Sequence, residues 1–128
     1  MKTIVTSIRA IRKGEHVGYN NTYTARTRMR VATVPVGYAE GVDRRLSNNG
    51  AFTVNGVACP IVGRVSMNIT SIDVTDCEPV VMLGDEVTVM SRERDDANSC
   101  ESMARQCGTI PYEIVVNIPS TLRRVVVD

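Results

Sequence analysis

Short apolar runs, each ended by a turn-forming residue, limit the folds open to this chain more than any other feature of its sequence. The clearest pair is residues 52–54 and 57–59, which are joined by Asn55-Gly56. Asn-Gly between two apolar runs is the strongest short-range signal for a β-hairpin. Many short strands and few helices are typical of antiparallel barrels. We therefore predict a mainly β fold, a small antiparallel β-barrel, for a single domain of residues 1–128.

Further strands are predicted where β-branched and apolar residues cluster between turns. The predicted strands are residues 3–11, 16–17, 29–36, 61–66, 71–75, 80–83, 86–90 and 123–127. Proline has no N–H to donate to a strand ladder, so Pro35 and Pro60 should each mark a strand end or a sheet edge. The polar stretch 40–50 is predicted to be a long loop.

One short helix is predicted, near residues 99–107. Its apolar residues recur with the i, i+3, i+4, i+7 spacing of a helix face, and they are Cys100, Met103, Ala104 and Cys107. Ser99 is a suitable N-terminal cap, and Gly108 suits the C-terminal end. The sequence thus predicts a β domain that carries a single helix.

Composition excludes several classes of function. The net charge of +1 lacks the basic excess typical of nucleic-acid binding, and no apolar stretch approaches the length of a membrane helix. The four cysteines are scattered and His16 is the only histidine, so no metal site is expected. Buried, reduced thiols in a cytoplasmic protein are the favoured interpretation.

Two tyrosines stand out among only five aromatic residues. Tyr19 and Tyr38 each follow a glycine at the end of an apolar run. A phenol at such a position lies at a loop, where it is available for chemistry. A tyrosine has a pKa of about 10, so a general base of this type needs positive charge or hydrogen bonds nearby. On local sequence alone, a half-buried structural tyrosine remains the alternative for Tyr19.

Four motifs carry a family resemblance that runs in order along essentially the whole chain. They are VGYNNTYTA at 17–25, VGYAEG at 36–41, PIVGRVSMN at 60–68 and GTIPYE at 108–113. Together they resemble the C-terminal β-domain of alanine racemase, an enzyme that depends on pyridoxal phosphate (PLP). The resemblance implies an isomerase that interconverts L- and D-alanine, and D-alanine is a precursor of peptidoglycan.

The resemblance also implies partners that this chain lacks. Alanine racemases are homodimers of two-domain subunits, in which an N-terminal α/β barrel holds PLP on a lysine. The β-domain of one subunit leans over the barrel mouth of the other. This chain has only Lys2 and Lys13, and no glycine-rich phosphate loop opens a helix. We therefore expect the N-terminal barrel to be missing, and the chain alone to hold no PLP and to be inactive.

By resemblance, Tyr19 is the catalytic base that faces the PLP lysine across the substrate Cα. Tyr38, Met67 and Asn68 belong to the substrate-binding site: Tyr38 narrows the path of the substrate, the backbone amide of Met67 binds the substrate carboxylate, and Asn68 lies near that carboxylate. Tyr112 lies near the cofactor phosphate.

Arg44 and Arg64 match basic residues of the outer corridor, where a guanidinium group attracts a carboxylate. On local sequence alone, a solvated charge is the alternative for both arginines. Tyr38 likewise fits a loop-tip aromatic on the domain surface, Tyr112 fits an ordinary linker between helix and strand, and Met67 fits a gap-filling core position.

The chain departs from the family pattern at several positions. Asn20 and Asn21 follow Tyr19 where the family has a small residue, Asn68 replaces an aspartate, and Glu40 replaces another. These changes leave the substrate open between alanine, serine and another small amino acid. A serine racemase attached to a membrane by a segment elsewhere, and a non-catalytic β-barrel binding module, are the further alternatives.

Overall fold

The computed structural model describes residues 1–18 and 21–127. The described residues form nine strands, two α-helices and two short 3₁₀ turns. The strands are β1 (Lys2–Ile4), β2 (Ser7–Ile11), β3 (His16–Val17), β4 (Tyr23–Thr24), β5 (Met29–Val34), β6 (Ala51–Val54), β7 (Val57–Pro60), β8 (Thr70–Asp73) and β9 (Glu86–Thr88). The helices are α1 (Cys100–Cys107) and α2 (Pro111–Val116), and the 3₁₀ turns are Tyr38–Glu40 and Arg44–Leu46.

The strands lie in three antiparallel sheets. A four-stranded sheet has the order β1-β9-β6-β7, a three-stranded sheet has the order β2-β5-β8, and β3 pairs with β4. The two larger sheets meet where β1 passes into β2 and where Ile61, after β7, bridges to Ile72 in β8. A mainly β, antiparallel fold is therefore confirmed. The barrel is not, because none of the three sheets closes on itself within the described ranges.

The predicted hairpin forms as expected. In the pair of β6 and β7, Val54 lies opposite Val57. Asn55 has φ 51° and Gly56 has φ 76°, as a two-residue turn with positive φ at both positions requires. Pro60 is the last residue of β7, and Pro35 directly follows the end of β5. Both prolines thus mark strand ends, as predicted.

The long first strand, predicted over residues 3–11, is instead divided into β1 and β2. Val5 donates its N–H to Asp85 at 3.0 Å, on the side of the four-stranded sheet. Thr6 donates to Thr33 at 3.0 Å, in the three-stranded sheet. The chain therefore changes sheets between these two residues, which a local run of β-branched residues cannot reveal.

Three other predicted strands are wrong. Residues 61–66 make only the bridge at Ile61, and the N–H groups of Gly63 and Val65 bond to side chains instead of a strand. Residues 80–83 are irregular, and the carbonyl of Val81 accepts from the Arg30 guanidinium at 3.1 Å. Residues 123–127 are exposed and form no strand.

The predicted helix is confirmed as α1. Ser99 Oγ accepts from the Ser102 N–H at 3.0 Å, and Gly108 donates to the last turn. A second helix, α2, was not predicted, because in six residues it buries only Ile114 and so shows no helical periodicity. Its one sequence signal is Pro111 in the first turn, a position that proline favours.

The core consists of two clusters. The larger lies between the two main sheets and α1, and Phe52 is its largest fully buried side chain. The smaller includes Val17 and Val62, which lie just before two of the predicted site segments. Cys59, Cys77 and Cys107 are buried as predicted, whereas Cys100 is half-buried. Within the described residues, no helix reaches the length and hydropathy of a membrane span, and no three His, Cys, Asp or Glu side chains converge on a metal position.

Candidate functional site

An open cleft of about 710 Å³ lies on the surface where two distant segments meet. Its lining consists of Tyr38, Arg44, Arg64, Val65, Ser66 and Met67. Four of these, the tyrosine, both arginines and the methionine, are residues that the sequence assigned to a site. The fold therefore brings together four side chains that are up to 29 positions apart in the sequence.

The cleft has two walls, residues 37–40 (the first wall) and residues 63–68 (the second wall). Backbone hydrogen bonds join them. Tyr38 donates its N–H to the Ser66 carbonyl at 3.0 Å, and Ala39 donates to the Met67 carbonyl at 2.9 Å. The C=O and N–H of a trans peptide point in opposite directions. Because the Ser66 carbonyl faces Tyr38, the Met67 N–H of the same peptide unit points away from that loop. No described residue accepts from the Met67 N–H.

Gly37 makes this close approach possible. A Cβ at this position would lie 2.6 Å from the carbonyl carbon and oxygen of Met67, and closer still to the Ser66 oxygen. Side chains do not fit between walls at such distances. The Gly37 N–H donates to Glu40 Oε2 at 2.8 Å, which closes the 3₁₀ turn on itself.

Side chains of residues 47 and 48 hold the second wall. Asn48 accepts from the Gly63 N–H at 2.6 Å through Oδ1 and donates its own N–H to the Gly63 carbonyl at 3.2 Å. Ser47 Oγ accepts from the Val65 N–H at 2.8 Å and donates to the Arg44 carbonyl at 2.6 Å. These bonds fix the backbones of Arg44 and Arg64 side by side at the rim.

The rim carries two unpaired positive charges. Arg44 and Arg64 are exposed, and no described carboxylate lies within ion-pair distance of either. They contrast with Arg45, which pairs with Asp43 at 2.8 Å and with Glu113 at 2.7 Å. Guanidinium groups are well suited to carboxylates. The cleft can therefore attract a small anionic molecule.

Tyr19, the predicted catalytic base, lies outside the described residues, as does Asn20. The structure does fix the residue before it. Gly18 has φ 82° and Gly63 has φ 83°, and a Cβ on Gly18 would lie 3.1 Å from the Gly63 Cα. The two backbones thus touch where neither position leaves room for a side chain. This contact attaches Gly18 to the segment that leads into Arg64 and the cleft.

Two predicted site residues lie outside the cleft lining. Tyr112 is the second residue of α2 and is 83% exposed. Asn68 is exposed, and its side-chain amide lies 3.2 Å from both Glu40 Oε1 and the Met67 carbonyl oxygen. Because both of these atoms are acceptors, the amide is assigned with its nitrogen facing them. The roles of both residues stay predictions.

Sequence reasoning gave no role in the site to three residues that hold it. Arg45 connects a 3₁₀ turn to α2, Asn48 holds the Gly63 loop, and Glu40 closes the Gly37 turn. The one available signal was Asn48, since asparagine tolerates the left-handed φ of 53° found there. The contacts of Arg45 and Glu40 are tertiary or depend on turn geometry, so no local pattern indicates them.

The Arg45 cluster predicts a dependence of stability on pH. Hydrogen bonds from Arg45 lower the pKa of Asp43, and bonds from Thr109 and Arg45 lower the pKa of Glu113. An acid whose pKa is lowered in the folded state stabilises the fold above its unfolded pKa, and this is lost as pH falls through the folded pKa. The Arg45→Gln variant should therefore be less stable than the parent at pH 7. The difference should shrink steadily as the pH is lowered below about 4, the usual range of these acids.

Denaturant unfolding of both proteins between pH 7 and pH 3 measures this difference. Arg44→Gln is the matched control, since Arg44 makes no described ion pair, and its difference from the parent should not vary with pH. A pH-independent deficit in Arg45→Gln would contradict the linkage.

The chain is similar in sequence to a class of isomerases. It is 42% identical over 123 residues to alanine racemase 1 of Caldanaerobacter subterraneus, covering 96% of this chain and 31% of that protein. It is 40% identical over 128 residues to the alanine racemase of Sorangium cellulosum, covering 97% and 34%. A family model described as alanine racemase, C-terminal domain, matches residues 1–126. The chain therefore belongs to the family of alanine racemase C-terminal domains.

Solved structures agree in fold. Alanine racemase from Bartonella henselae, with covalently bound pyridoxal phosphate, superposes with a TM-score of 0.88 at 32% identity, over 97% of this chain and 33% of that one. Alanine racemase from Bacillus anthracis, with bound L-Ala-P, gives 0.81 at 42% identity, over 92% and 30%. The chain thus spans about a third of the length of the proteins that it matches.

Pyridoxal phosphate is held on a lysine, so the positions of the two lysines show whether this chain could hold the cofactor itself. Lys2 Nζ is paired with Glu86 Oε1 at 2.6 Å on the edge of the four-stranded sheet, and Lys13 is exposed in the turn before β3. Neither lines the cleft. The described residues therefore form no PLP site of their own.

Proposed function

We propose that this chain is the C-terminal domain of a PLP-dependent racemase that interconverts L- and D-alanine. The family match over residues 1–126 supports the reaction class. The observation that carries the proposal is the cleft, where two unpaired arginines and an open backbone amide surround a space suited to a small carboxylate. The site is composite, because this chain supplies the binding wall and another domain supplies the cofactor.

Each wall residue has a proposed part in binding. Arg44 and Arg64 attract the amino-acid carboxylate from solvent towards the cleft. The Met67 N–H then donates a hydrogen bond to that carboxylate. Tyr38, which is 47% exposed at the opposite wall, limits the size of the side chain that can enter. This division of roles favours a small, zwitterionic substrate.

Proton transfer is assigned to Tyr19. Its phenol oxygen takes the proton from the substrate Cα on one face, or returns it there for the reverse reaction. The support is the family match together with the contact between Gly18 and Gly63, which joins the residue before Tyr19 to the cleft wall. Two bases on opposite faces allow one carbon to be inverted in both directions.

The remaining components lie outside this chain. The matched proteins are about three times as long, so we propose that an N-terminal barrel domain supplies the lysine that holds pyridoxal phosphate. When bound, this cofactor stabilises the carbanion that forms when the Cα loses its proton. A second subunit brings the cleft over that lysine, and Tyr112, exposed on α2, is a candidate contact near the cofactor. By the same resemblance, the protein is expected in the cytoplasm.

A substrate panel tests the proposal. The full-length protein, loaded with pyridoxal phosphate, is incubated with L-alanine, L-serine and larger L-amino acids, and D-isomers are measured by chiral chromatography. D-alanine should form fastest, and larger side chains should react slowly because of Tyr38. Faster conversion of serine would reassign the substrate. No conversion of any amino acid would favour a non-catalytic binding module.

A further inference from the structure

A single carboxylate joins the two walls of the cleft. Glu40 Oε2 accepts from the Gly37 N–H at 2.8 Å, at the start of the first wall. With the Asn68 amide assigned so that its nitrogen faces the two neighbouring acceptors, the other oxygen, Oε1, accepts from it at 3.2 Å, at the end of the second wall. Glu40 is half-buried, so it acts from behind the walls and does not line the cleft.

The same contact orients the Met67 carbonyl. Asn68 donates to this carbonyl at 3.2 Å, and the Ala39 N–H donates to it at 2.9 Å. The oxygen is therefore held by two donors, one from each wall. Because Ser66 is held in turn by Tyr38, the Met67 residue has both of its peptide units fixed. The direction of its free N–H follows from these constraints.

In the contact between residues 40 and 68, one side chain donates the hydrogen bond and the other accepts it. Position 40 presents two acceptor oxygens, whereas position 68 presents an amide that donates on the side of Glu40. The family pattern has aspartate at both positions, but here the side chain at position 40 is longer by one methylene. A carboxylate at position 68 would therefore place two negative charges in contact, and both would lose a hydrogen bond. A glutamine at position 40 would keep an oxygen for Gly37, and it would also offer an amide to position 68.

We propose that Glu40 and Asn68 form a positioning pair, which sets the direction of the Met67 N–H and the distance between Tyr38 and Met67. This deepens the proposed function, on which it rests for the identity of the substrate. In this role neither residue needs a contact with the substrate. The pair acts through the walls, so its loss weakens the binding of the carboxylate more than it slows the chemical step.

A double-mutant cycle in the full-length protein tests the pair. Asn68→Asp should raise the KM for alanine about tenfold to a hundredfold, the range of coupling between groups in contact, with a much smaller change in kcat. Glu40→Gln should raise the KM less, by about threefold to tenfold, because the Asn68 amide can reverse and offer its oxygen to the introduced glutamine but then no longer donates to the Met67 carbonyl. The double variant Glu40→Gln/Asn68→Asp should recover part of the loss, since the introduced glutamine amide then donates to the introduced carboxylate, although the Met67 carbonyl still lacks its second donor.

Hydrogen exchange of the Tyr38 and Ala39 amides, measured in the same proteins, gives a readout that does not need activity. Exchange should be faster in Asn68→Asp and return towards the parent rate in the double variant. Asn55→Asp is the matched control, because it adds the same charge in the distant hairpin turn, where Asp-Gly is also favoured. It should change neither KM nor exchange at residues 38 and 39.

Several results would overturn the pair. An unchanged KM in Asn68→Asp, or a double variant as impaired as Asn68→Asp alone, would show that the two side chains are not coupled. Equal losses in kcat and in 1/KM would indicate a general loss of structure. If the parent converts no amino acid, the proposed function fails, and the exchange experiment still decides whether Glu40 and Asn68 hold the walls together.

Discussion

Replacing Tyr19 by phenylalanine in the full-length protein is expected to reduce racemisation of L-alanine by at least about a hundredfold, the lower end of what a positioned acid–base group contributes. Phenylalanine keeps the ring and removes only the hydroxyl that is proposed to exchange a proton with the Cα. Incorporation of solvent deuterium should stop when the reaction starts from L-alanine. It should continue from D-alanine, whose proton the opposite base removes, and the absorption spectrum of the cofactor should not change.

Tyr23→Phe is the matched control for this experiment. Tyr23 lies on β4, opposite Val17, and packs against the smaller core cluster. Its replacement removes a hydroxyl from the same segment but from a residue with no proposed part in catalysis. The control should keep racemisation near the parent rate. If the Tyr19 variant also racemised near that rate, the assignment of the base would be wrong.

Replacing Gly37 by alanine is expected to have the second-largest effect. The added Cβ would meet the carbonyl groups of both Ser66 and Met67, and these groups cannot retreat without breaking the hydrogen bonds that join the walls. Overpacking of this kind costs about 1–3 kcal/mol of stability, and we expect the upper end. The KM for alanine should rise more than about tenfold, because the walls of the cleft separate and such contacts are strongly coupled.

Gly84→Ala separates this clash from a simple preference for glycine. Gly84 has φ 86°, which disfavours alanine, but no neighbouring atom lies within 4 Å of the place that a Cβ would occupy. This variant should lose about 1 kcal/mol of stability from backbone strain with an unchanged KM. Unfolding by denaturant and steady-state kinetics measure both quantities. An unchanged KM in Gly37→Ala would show that the walls tolerate a side chain there.

Elements with a complete local signal were predictable from the sequence. The hairpin of β6 and β7 needs only Asn55-Gly56 between two apolar runs, and α1 has its cap, its apolar face and its terminating glycine within a span of ten residues, 99–108. The strand ends at Pro35 and Pro60 were predictable because each proline itself lacks the N–H that strand pairing needs. In each case the information lies within a few residues of the structure that it determines.

Elements that depend on distant partners were not predictable in this way. Residues 61–66 have strand-like composition, yet Ser47 and Asn48 bond to the N–H groups that a neighbouring strand would need. The break between β1 and β2 depends on Asp85 and Thr33, which are far along the chain. The closed barrel was an inference from many short strands, and strand count alone does not determine closure.

The site residues came from resemblance more than from local pattern. Nothing near Tyr38 or Met67 in the sequence indicates that they share a cleft, whereas the motifs did assign them to one site. The sequence also marked Glu40 and Asn68, but as two separate departures from the family. The structure shows that the two departures are in contact, which only the fold could reveal.

The backbone contact between Gly18 and Gly63, in which neither residue has a side chain, limits how substrate preference can be re-engineered. Lengthening or shortening either of the two segments in contact by one residue would bring a side chain into a space that has no room for it. Mutational libraries should therefore vary residues 17–18 and 62–65 together, at constant length. Selectivity is better sought in the freely projecting side chains of Tyr38, Arg44 and Arg64.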